Sequence, residues 1–285
     1  MGELDKARPL SETAADPFVS YLFYGPGGSG KTTLAMNHPG KAKVYLDIDE
    51  RLHELRPSLT KEQVDSVKLH WMSHELLRGS GDIQEVWVDR TRKNPALGDI
   101  LTEKPRGYDR IREVTNELIR LADKCKKENK PFPYDCVIAD PLTRIADHLT
   151  YLILYRHNVS VITESLYDVF ARNMKEWIMG FLSLPCDRII IAHSRHIEKR
   201  HKETGAIIQS ITKPLLVGQT AEQLVSFFTE AYFFLGREAG NNVYKVQTGK
   251  DRETDARTAR GLEFEEPLKK LPNGQLDVSR IFRKS

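Results

Sequence analysis

The sequence predicts an α/β fold: a mostly parallel central sheet with helices on both faces, followed by late antiparallel strands. Three observations lead to this prediction. Several apolar runs of strand length are continuous rather than alternating, which is typical of strands buried on both faces of a parallel sheet. Stretches with a helical spacing of apolar residues separate these runs. A complete phosphate-binding loop lies directly behind the first run.

The loop occupies residues 25–32, has the pattern G-x-x-x-x-G-K-[ST] and follows the apolar run 19–24. Glycines let the backbone curl so that successive N–H groups point at phosphate oxygens. We expect Lys31 to reach the β- and γ-phosphates and Thr32 to hold Mg²⁺. A chance match is the alternative, but every fixed position is filled, so the loop predicts binding of a nucleoside triphosphate. The residues expected to bind it are Gly25, Pro26, Gly27, Gly28, Ser29, Gly30, Lys31, Thr32 and Thr33.

The following elements are predicted from apolar periodicity and from Pro and Gly boundaries. In the first half of the chain they are a short helix, three strands and a long helix, at 33–38, 43–47, 67–71, 85–89 and 108–130. In the second half we expect a strand at 135–140, helices at 142–157 and 163–184, and a buried strand at 188–192. A hairpin-like turn at 203–205 and two late strands at 231–235 and 243–247 follow.

The 285 residues, of which 40% are hydrophobic, are enough for one large core. We therefore divide the chain into an extended N-terminal arm (1–16), one core domain (17–265) and a C-terminal tail (266–285). A segment rich in charge, Pro and Gly, at about 90–107, is expected to be a loop inserted into the core.

The composition excludes several classes of protein. We find no apolar run long enough to cross a bilayer and no secretory signal, so we expect a soluble cytoplasmic protein without a membrane partner. Three scattered cysteines do not make a disulfide framework or a zinc cluster. The formal net charge of +3 permits a polyanion partner, but local clustering must supply the surface for it.

Carboxylates at two strand ends are candidates for the metal and the water of a triphosphatase. Asp140 ends the apolar strand Cys136–Ala139, which is where a carboxylate can contact the hydration shell of Mg²⁺. A helix cap is the alternative role, and Pro141 would suit it. Asp49 and Glu50 follow the second strand, and either can polarise a water molecule or belong to a solvated acidic turn.

Cations and a histidine complete the candidate residues. His193 ends the strand 188–192 and can contact the γ-phosphate, although a lone histidine is usually structural. Behind it lie Arg195, Lys199, Arg200 and Lys202, which could bind a nucleic-acid backbone or form a wetted surface. Cations on or after the last strand, of which we prefer Lys250 and Arg252 to Lys245, could reach the γ-phosphate of a neighbouring subunit.

The order of these elements resembles the RecA-like ATPase core, and more narrowly the compact phage nucleotide-binding proteins of single-strand annealing and recombination. The resemblance implies ATP and Mg²⁺ at Lys31, Thr32 and Asp140, a catalytic carboxylate at Asp49 or Glu50, and sensing of the γ-phosphate at His193. It further implies an intersubunit cation at Lys250 or Arg252. From the resemblance we expect single-stranded DNA as a partner and a homo-oligomer as the assembly. For a phage-encoded protein, the expected compartment is the cytoplasm of the bacterial host.

Four functions stay open at the level of the sequence. The first is a slow, DNA-stimulated ATPase that binds single-stranded DNA in recombination, annealing or replication. The second is a nucleotide-gated module that controls a protein partner with little turnover. A helicase-type motor and a small-molecule kinase are the others; the kinase would need an arginine-rich lid, for which Arg90, Arg92 and Arg106 are available.

Overall fold

The structure is a computed structural model of the chain. It describes residues 18–49, 61, 91–94, 98–101, 105–201, 204, 207–216, 219–237, 244–251, 253–260, 262–269 and 276–282. The predicted arm at 1–16 and the strands predicted at 67–71 and 85–89 lie outside these residues, as do Glu50, Lys202 and Arg252.

The described elements alternate between strands and helices over most of the chain. The strands are β1 (Ser20–Gly25), β2 (Lys43–Asp47), β3 (Thr91–Asn94), β4 (Gly98–Leu101), β5 (Cys136–Asp140), β6 (Asp187–Arg200), β7 (Ile207–Pro214), β8 (Glu230–Arg237), β9 (Tyr244–Gln247) and β10 (Glu265–Leu268). The helices are α1 (Lys31–Met36), α2 (Gly107–Lys127), α3 (Leu142–His157), α4 (Glu164–Leu182) and α5 (Gln219–Gln223), the last followed by a 3-10 turn (Leu224–Phe227).

The central sheet has the strand order β10-β9-β8-β1-β6-β5-β2. Neighbours from β8 to β2 pair in parallel, whereas β9 and β10 add antiparallel strands at one edge. This confirms the predicted fold class, a RecA-like sheet with late antiparallel strands. The strand in front of the phosphate loop and the strand that ends at Asp140 are separated by β6.

Both faces of the sheet are buried, which explains the continuous apolar runs. Successive residues of β1 point to opposite faces: Leu22 packs with α2, α3 and α4, whereas Phe23 packs with α1 and the C-terminal residues. The free thiols of Cys136 and Cys186 lie in these cores and behave as small hydrophobic groups. Among the described residues, no helix is long and apolar enough to cross a membrane.

The C-terminal ends of two helices carry residues that are typical of helix ends. Helix α2 has Lys124, Lys126 and Lys127 in its last turn, where cations interact favourably with the helix dipole. Helix α3 ends at Asn158, which has a left-handed backbone conformation with φ of 53°. The structure thus places α3 over 142–157, the range expected from the sequence.

The segment at 90–107 differs from the expected loop. Its described residues contain the antiparallel pair β3 and β4, and helix α2 already begins at Gly107. The charge, Pro and Gly content of 90–107 made the whole segment read as a loop in the sequence.

The predicted tail at 266–285 is also different. Strand β10 crosses the boundary at residue 266 and pairs with β9, and Leu268, Leu276, Ile281 and Phe282 are each at most 4% exposed. The described part of the tail therefore completes one face of the core. Spaced single apolar residues in a polar segment gave no periodic signal that would reveal this.

Truncation of Phe282 tests the role of the tail. Its ring is 1% exposed and packs 5.2 Å from the ring of Tyr21 and 4.7 Å from that of His38. We expect Phe282→Ala to lower the free energy of unfolding in urea by about 3–5 kcal/mol, because it leaves a cavity in the core. Phe264→Ala is the matched control; its ring is 48% exposed, and the loss should be below about 1 kcal/mol. Equal losses in the two variants would contradict this account of the tail.

Candidate nucleotide site

The phosphate loop joins β1 to α1 at the carboxyl edge of the sheet. Gly28 and Gly30 have φ of 71° and 93°, a region that residues with a side chain rarely adopt. A Cβ atom on Gly30 would also lie 2.9 Å from the ring of Tyr244. The loop needs glycine at position 30 for two independent reasons, the backbone conformation and the close approach of Tyr244.

Lys31 is buried at the start of α1 and is 5% exposed. Its Nζ donates hydrogen bonds to the carbonyl oxygens of Gly25 (2.9 Å) and Pro26 (2.6 Å) and to Oγ of Ser29 (3.3 Å). Burial lowers the pKa of Lys31 to about 8, although the nearby charge of Asp140 opposes the shift. The ammonium group is therefore held by the loop itself in a place where phosphate oxygens would stabilise its charge.

Asp140 ends β5 beside the loop and accepts two hydrogen bonds. Thr32 donates from Oγ1 to Oδ2 of Asp140 at 2.7 Å, across 108 residues of sequence, and the hydroxyl of Tyr45 donates to the same oxygen. Burial raises the pKa of Asp140, and the hydrogen bonds from Tyr45 and Thr32 and the charge of Lys31 act in the opposite direction. The two residues proposed for the metal are thus in contact.

A cavity of about 280 Å³ lies over these groups. It is lined by Gly27, Gly28, Ser29, Gly30, Lys31, Thr32, Thr33, Tyr45, Asp47, Asp49, Asp140, His193 and Tyr244. The lining combines main-chain amides, one ammonium group, an imidazole and several hydroxyl and carboxylate groups. This set of groups suits a phosphate chain together with a divalent cation.

The donor chemistry fits Mg²⁺ in particular. The Thr32 hydroxyl and the Asp140 carboxylate are hard oxygen ligands. Within the described ranges, no group of three or more His, Cys, Asp or Glu side chains could hold a metal ion by itself. Mg²⁺ commonly binds through one or two protein oxygens together with substrate phosphates, so it would bind here with the nucleotide.

Asp49 lines the same cavity, but it is held by a cation. Its Oδ1 accepts a hydrogen bond from Nε of Arg144 at 2.9 Å, and Nη1 of Arg144 also contacts Asp147 at 3.3 Å. The side chain of Asp49 is 9% exposed, compared with 41% for Arg144. Of the two carboxylates considered for water activation, Asp49 faces the cavity, and Glu50 is outside the described residues.

His193 lines the cavity at the point where β6 leaves the sheet. It pairs in register with Gly25, the first residue of the phosphate loop, and its main-chain N–H donates to Oγ1 of Thr143 at 3.2 Å. The histidine is thus tied to α3, the helix that follows Asp140. Its position agrees with a γ-phosphate sensor, a role that stays a prediction.

Beyond His193, β6 continues away from the sheet and forms a hairpin with β7. The register runs from Ser194 opposite Pro214 to Arg200 opposite Ile207. Of the four cations expected to bind DNA, Arg195, Lys199 and Arg200 lie on this hairpin, and Lys202 is outside the described residues.

The hairpin cations differ in their surroundings. Arg200 pairs with Glu198 at 2.6 Å, and its side chain is 59% exposed. In the part of the chain that the structure describes, the buried Nε of Arg195 has no hydrogen-bond partner.

The lysines considered for contact with the γ-phosphate of a neighbouring subunit lie on or after β9, close to this hairpin. Lys250 pairs with Asp255 at 2.8 Å and is 73% exposed, whereas Lys245 lies 3.9 Å from Glu265. The main chain of this segment contacts β7, since the N–H of Thr212 donates to the carbonyl of Glu253 at 2.5 Å.

Tyr45, Arg144 and Tyr244 are residues of the site that sequence reasoning missed. Tyr45 reads as one more apolar position of β2, and Tyr244 as one of β9. Arg144 carries a usable signal, because it lies in the first turn of the helix that directly follows Asp140. The ring of Tyr244 against Gly30 joins positions 214 residues apart, and no local pattern encodes such a contact.

Gly30→Ala tests the loop geometry. The substitution forces an alanine into a left-handed conformation and against Tyr244, which costs about 1–3 kcal/mol. We expect about a five- to hundredfold loss of affinity for Mg-ADP in titration calorimetry. Gly27→Ala is the matched control, because a Cβ there meets no atom within 4 Å, and its affinity should stay within about twofold of the wild type. A similar loss in both variants would contradict the assigned geometry.

The lowered pKa of Lys31 predicts proton uptake when a nucleotide binds. At about pH 8.5 the free side chain is mostly neutral, and phosphate oxygens raise its pKa again because they stabilise the charged form. Affinity for ADP should therefore fall as the pH rises above about 8, by up to about tenfold per pH unit. Calorimetry in buffers of different ionisation enthalpy measures the uptake.

The control for this experiment is Lys31→Met, which should bind weakly and without proton uptake at this pH. Equal heats for the wild type in all buffers would show that Lys31 keeps its proton throughout and would contradict the expected pKa.

A family model described as an AAA domain matches residues 18–258. No curated protein shows a significant match to the sequence. Similar solved structures include an ATPase from the type III secretion system of pathogenic bacteria, with 10% identity and a TM-score of 0.42, covering 75% of this chain and 51% of that chain.

Two further similar structures are archaeal. A KaiC-like protein from Pyrococcus horikoshii OT3 has 13% identity and a TM-score of 0.39, and the flagellar accessory protein FlaH from Methanocaldococcus jannaschii has 12% and 0.38. Each alignment covers 90% of this chain and 88% of the other. The chain spans about half the length of the type III secretion ATPase. Because the family model covers the phosphate loop, the strand that ends at Asp140 and strand β9 together, the chain belongs to the AAA domain family of P-loop ATPases.

Proposed function

We propose that this protein binds and slowly hydrolyses ATP with Mg²⁺, and that the ATP-bound state binds single-stranded DNA in phage-type recombination, annealing or replication. The observation that carries the proposal is the continuity of β6. One strand pairs with the phosphate-loop strand up to His193 and then becomes the arm of a cationic hairpin. A change at the γ-phosphate therefore has a short covalent path to a surface suited to phosphate backbone.

The nucleotide side of the proposal assigns each group a task. Main-chain amides of the loop and Lys31 hold the phosphates, and Thr32 and Asp140 hold the cation. Bound Mg²⁺ neutralises the developing charge on the phosphoryl oxygens. Asp49 orients and deprotonates the attacking water, and Arg144 fixes this carboxylate at 2.9 Å.

The DNA side rests on the hairpin formed by β6 and β7. Arg195, Lys199, Arg200 and Lys202 supply the cations for the phosphate oxygens. The pair between Arg200 and Glu198 is solvent-exposed, so it is weak and can exchange for a phosphate.

A homo-oligomer completes the proposal. Lys250 is 73% exposed and is held by an exposed pair with Asp255, so it is available to a second copy. We propose that Lys250 or Arg252 of one copy contacts the γ-phosphate bound by the next. Since the Lys250 segment is hydrogen-bonded to β7, assembly and DNA binding would be coupled.

The test compares two variants that remove equal charge. In the hairpin variant, Arg195, Lys199, Arg200 and Lys202 are changed to Gln. In the control variant, the exposed lysines Lys124, Lys126, Lys127 and Lys130 of α2 and the turn after it are changed to Gln. Lys126 and Lys130 line a cavity with Asp135 and Asp187, at the amino ends of β5 and β6, whereas the hairpin lies beyond the carboxyl ends. Affinity for fluorescent oligo-dT with Mg and a non-hydrolysable ATP analogue is measured over a series of salt concentrations, together with ATPase activity.

We expect the hairpin variant to bind DNA at least about tenfold more weakly and to lose about 0.7 of salt slope per phosphate contact removed, because fewer counterions are released. Affinity for the nucleotide should stay unchanged in both variants. Equal DNA binding by the two variants would remove the hairpin assignment. If the wild type neither binds DNA nor is stimulated by it, the recombination proposal fails and a nucleotide-gated module for a protein partner takes its place.

A further inference from the structure

We propose that Tyr45 is a positioning residue that fixes the Asp140 carboxylate for the divalent cation of the nucleotide complex; this inference rests on the metal site proposed above. Tyr45 lies on β2, is 2% exposed and packs in the same core cluster as α1. Its hydroxyl reaches out of this core to Oδ2 of Asp140, beside the hydroxyl of Thr32.

The pattern of bonds leaves one carboxylate oxygen of Asp140 available. Both hydroxyls donate to Oδ2, so neither occupies Oδ1 of Asp140. A hydroxyl has one proton to donate and two lone pairs, so Thr32 can keep its bond to Asp140 while its own oxygen binds a cation. Tyr45 would therefore not compete with a cation; it restrains the carboxylate, and Oδ1 stays available to a cation or its hydration shell.

Tyr45 is suited to this role because the sheet holds it rigidly. Strand β2 pairs in parallel with β5, with Tyr45 opposite Ile138 and Asp47 opposite Asp140. The ring has two torsion angles and is enclosed by core residues, so its hydroxyl has a defined position. The Thr32 hydroxyl, in contrast, belongs to the loop and helix that must respond to the nucleotide. The carboxylate thus has one bond to the rigid sheet and one to the binding loop.

A merely structural bond is the alternative, since a buried hydroxyl needs a partner wherever it lies. Tyr232 provides the comparison. It lies in the same cluster, is 0% exposed and donates at 2.8 Å to Oε2 of Glu230, which does not line the nucleotide cavity. Removal of either hydroxyl leaves a buried carboxylate short of one donor, but only Tyr45 contacts a residue proposed to hold the metal.

The experiment measures ADP binding by calorimetry over a series of Mg²⁺ concentrations and in EDTA, for the wild type, Tyr45→Phe and Tyr232→Phe. Phenylalanine keeps the ring, and urea unfolding checks that both variants are folded. We expect Tyr45→Phe to need about tenfold more Mg²⁺ to reach half of the metal-dependent gain in affinity, a usual effect of removing a partner of a metal ligand. The gain is measured relative to the affinity of each protein in EDTA, and Tyr232→Phe should keep the wild-type Mg²⁺ dependence.

A second pair of variants shows whether Tyr45 acts through Asp140. In the background of Asp140→Asn, adding Tyr45→Phe should change the Mg²⁺ dependence no further, because the group that Tyr45 positions is already altered. Additive effects would overturn the proposal, as would a wild-type Mg²⁺ requirement in Tyr45→Phe. If ADP binding by the wild type does not depend on Mg²⁺ at all, the metal site itself fails, and this outcome is distinct from a failure of Tyr45 alone.

Discussion

The parallel pairing of β1, β6 and β5 is the constraint on which the rest of the structure depends. Parallel strands end at the same edge of a sheet, so the register that sets Gly25 opposite His193 also brings Asp140 to the phosphate loop. Residues more than 100 positions apart in the sequence are then joined by the 2.7 Å bond between Thr32 and Asp140. A shift of one residue in any of these pairings would turn every side chain to the opposite face and separate these groups.

The same edge concentrates charge that is only partly compensated by the protein. Lys31 is buried and bonded to main-chain carbonyls, and burial shifts the pKa of Lys31 downwards and that of Asp140 upwards, each towards its neutral form. A phosphate chain with a divalent cation supplies the missing charges of both signs at once. The protein therefore holds its binding groups in place before the ligand arrives, and the ligand restores their charged states.

Local patterns in the sequence were sufficient for the elements that have strong local chemistry. The glycines of the phosphate loop, the apolar run before Asp140 and the helical spacing of α2 each reflect a requirement within a few residues, and the fold class was predicted from them. Tyr45, Arg144 and Tyr244 were missed because their roles depend on partners far away in the sequence. The apolar residues of the C-terminal segment were missed for the same reason, since Phe282 finds Tyr21 and His38 only in the folded sheet.

The most direct test of the account is a crystal structure with Mg²⁺ and a non-hydrolysable ATP analogue. We expect Nζ of Lys31 to contact the phosphates from its place in the loop, with the cation bound at Thr32 and next to Asp140. A nucleotide bound elsewhere, or a structure in which Lys31 makes no contact with the phosphates of the analogue, would contradict the central claim.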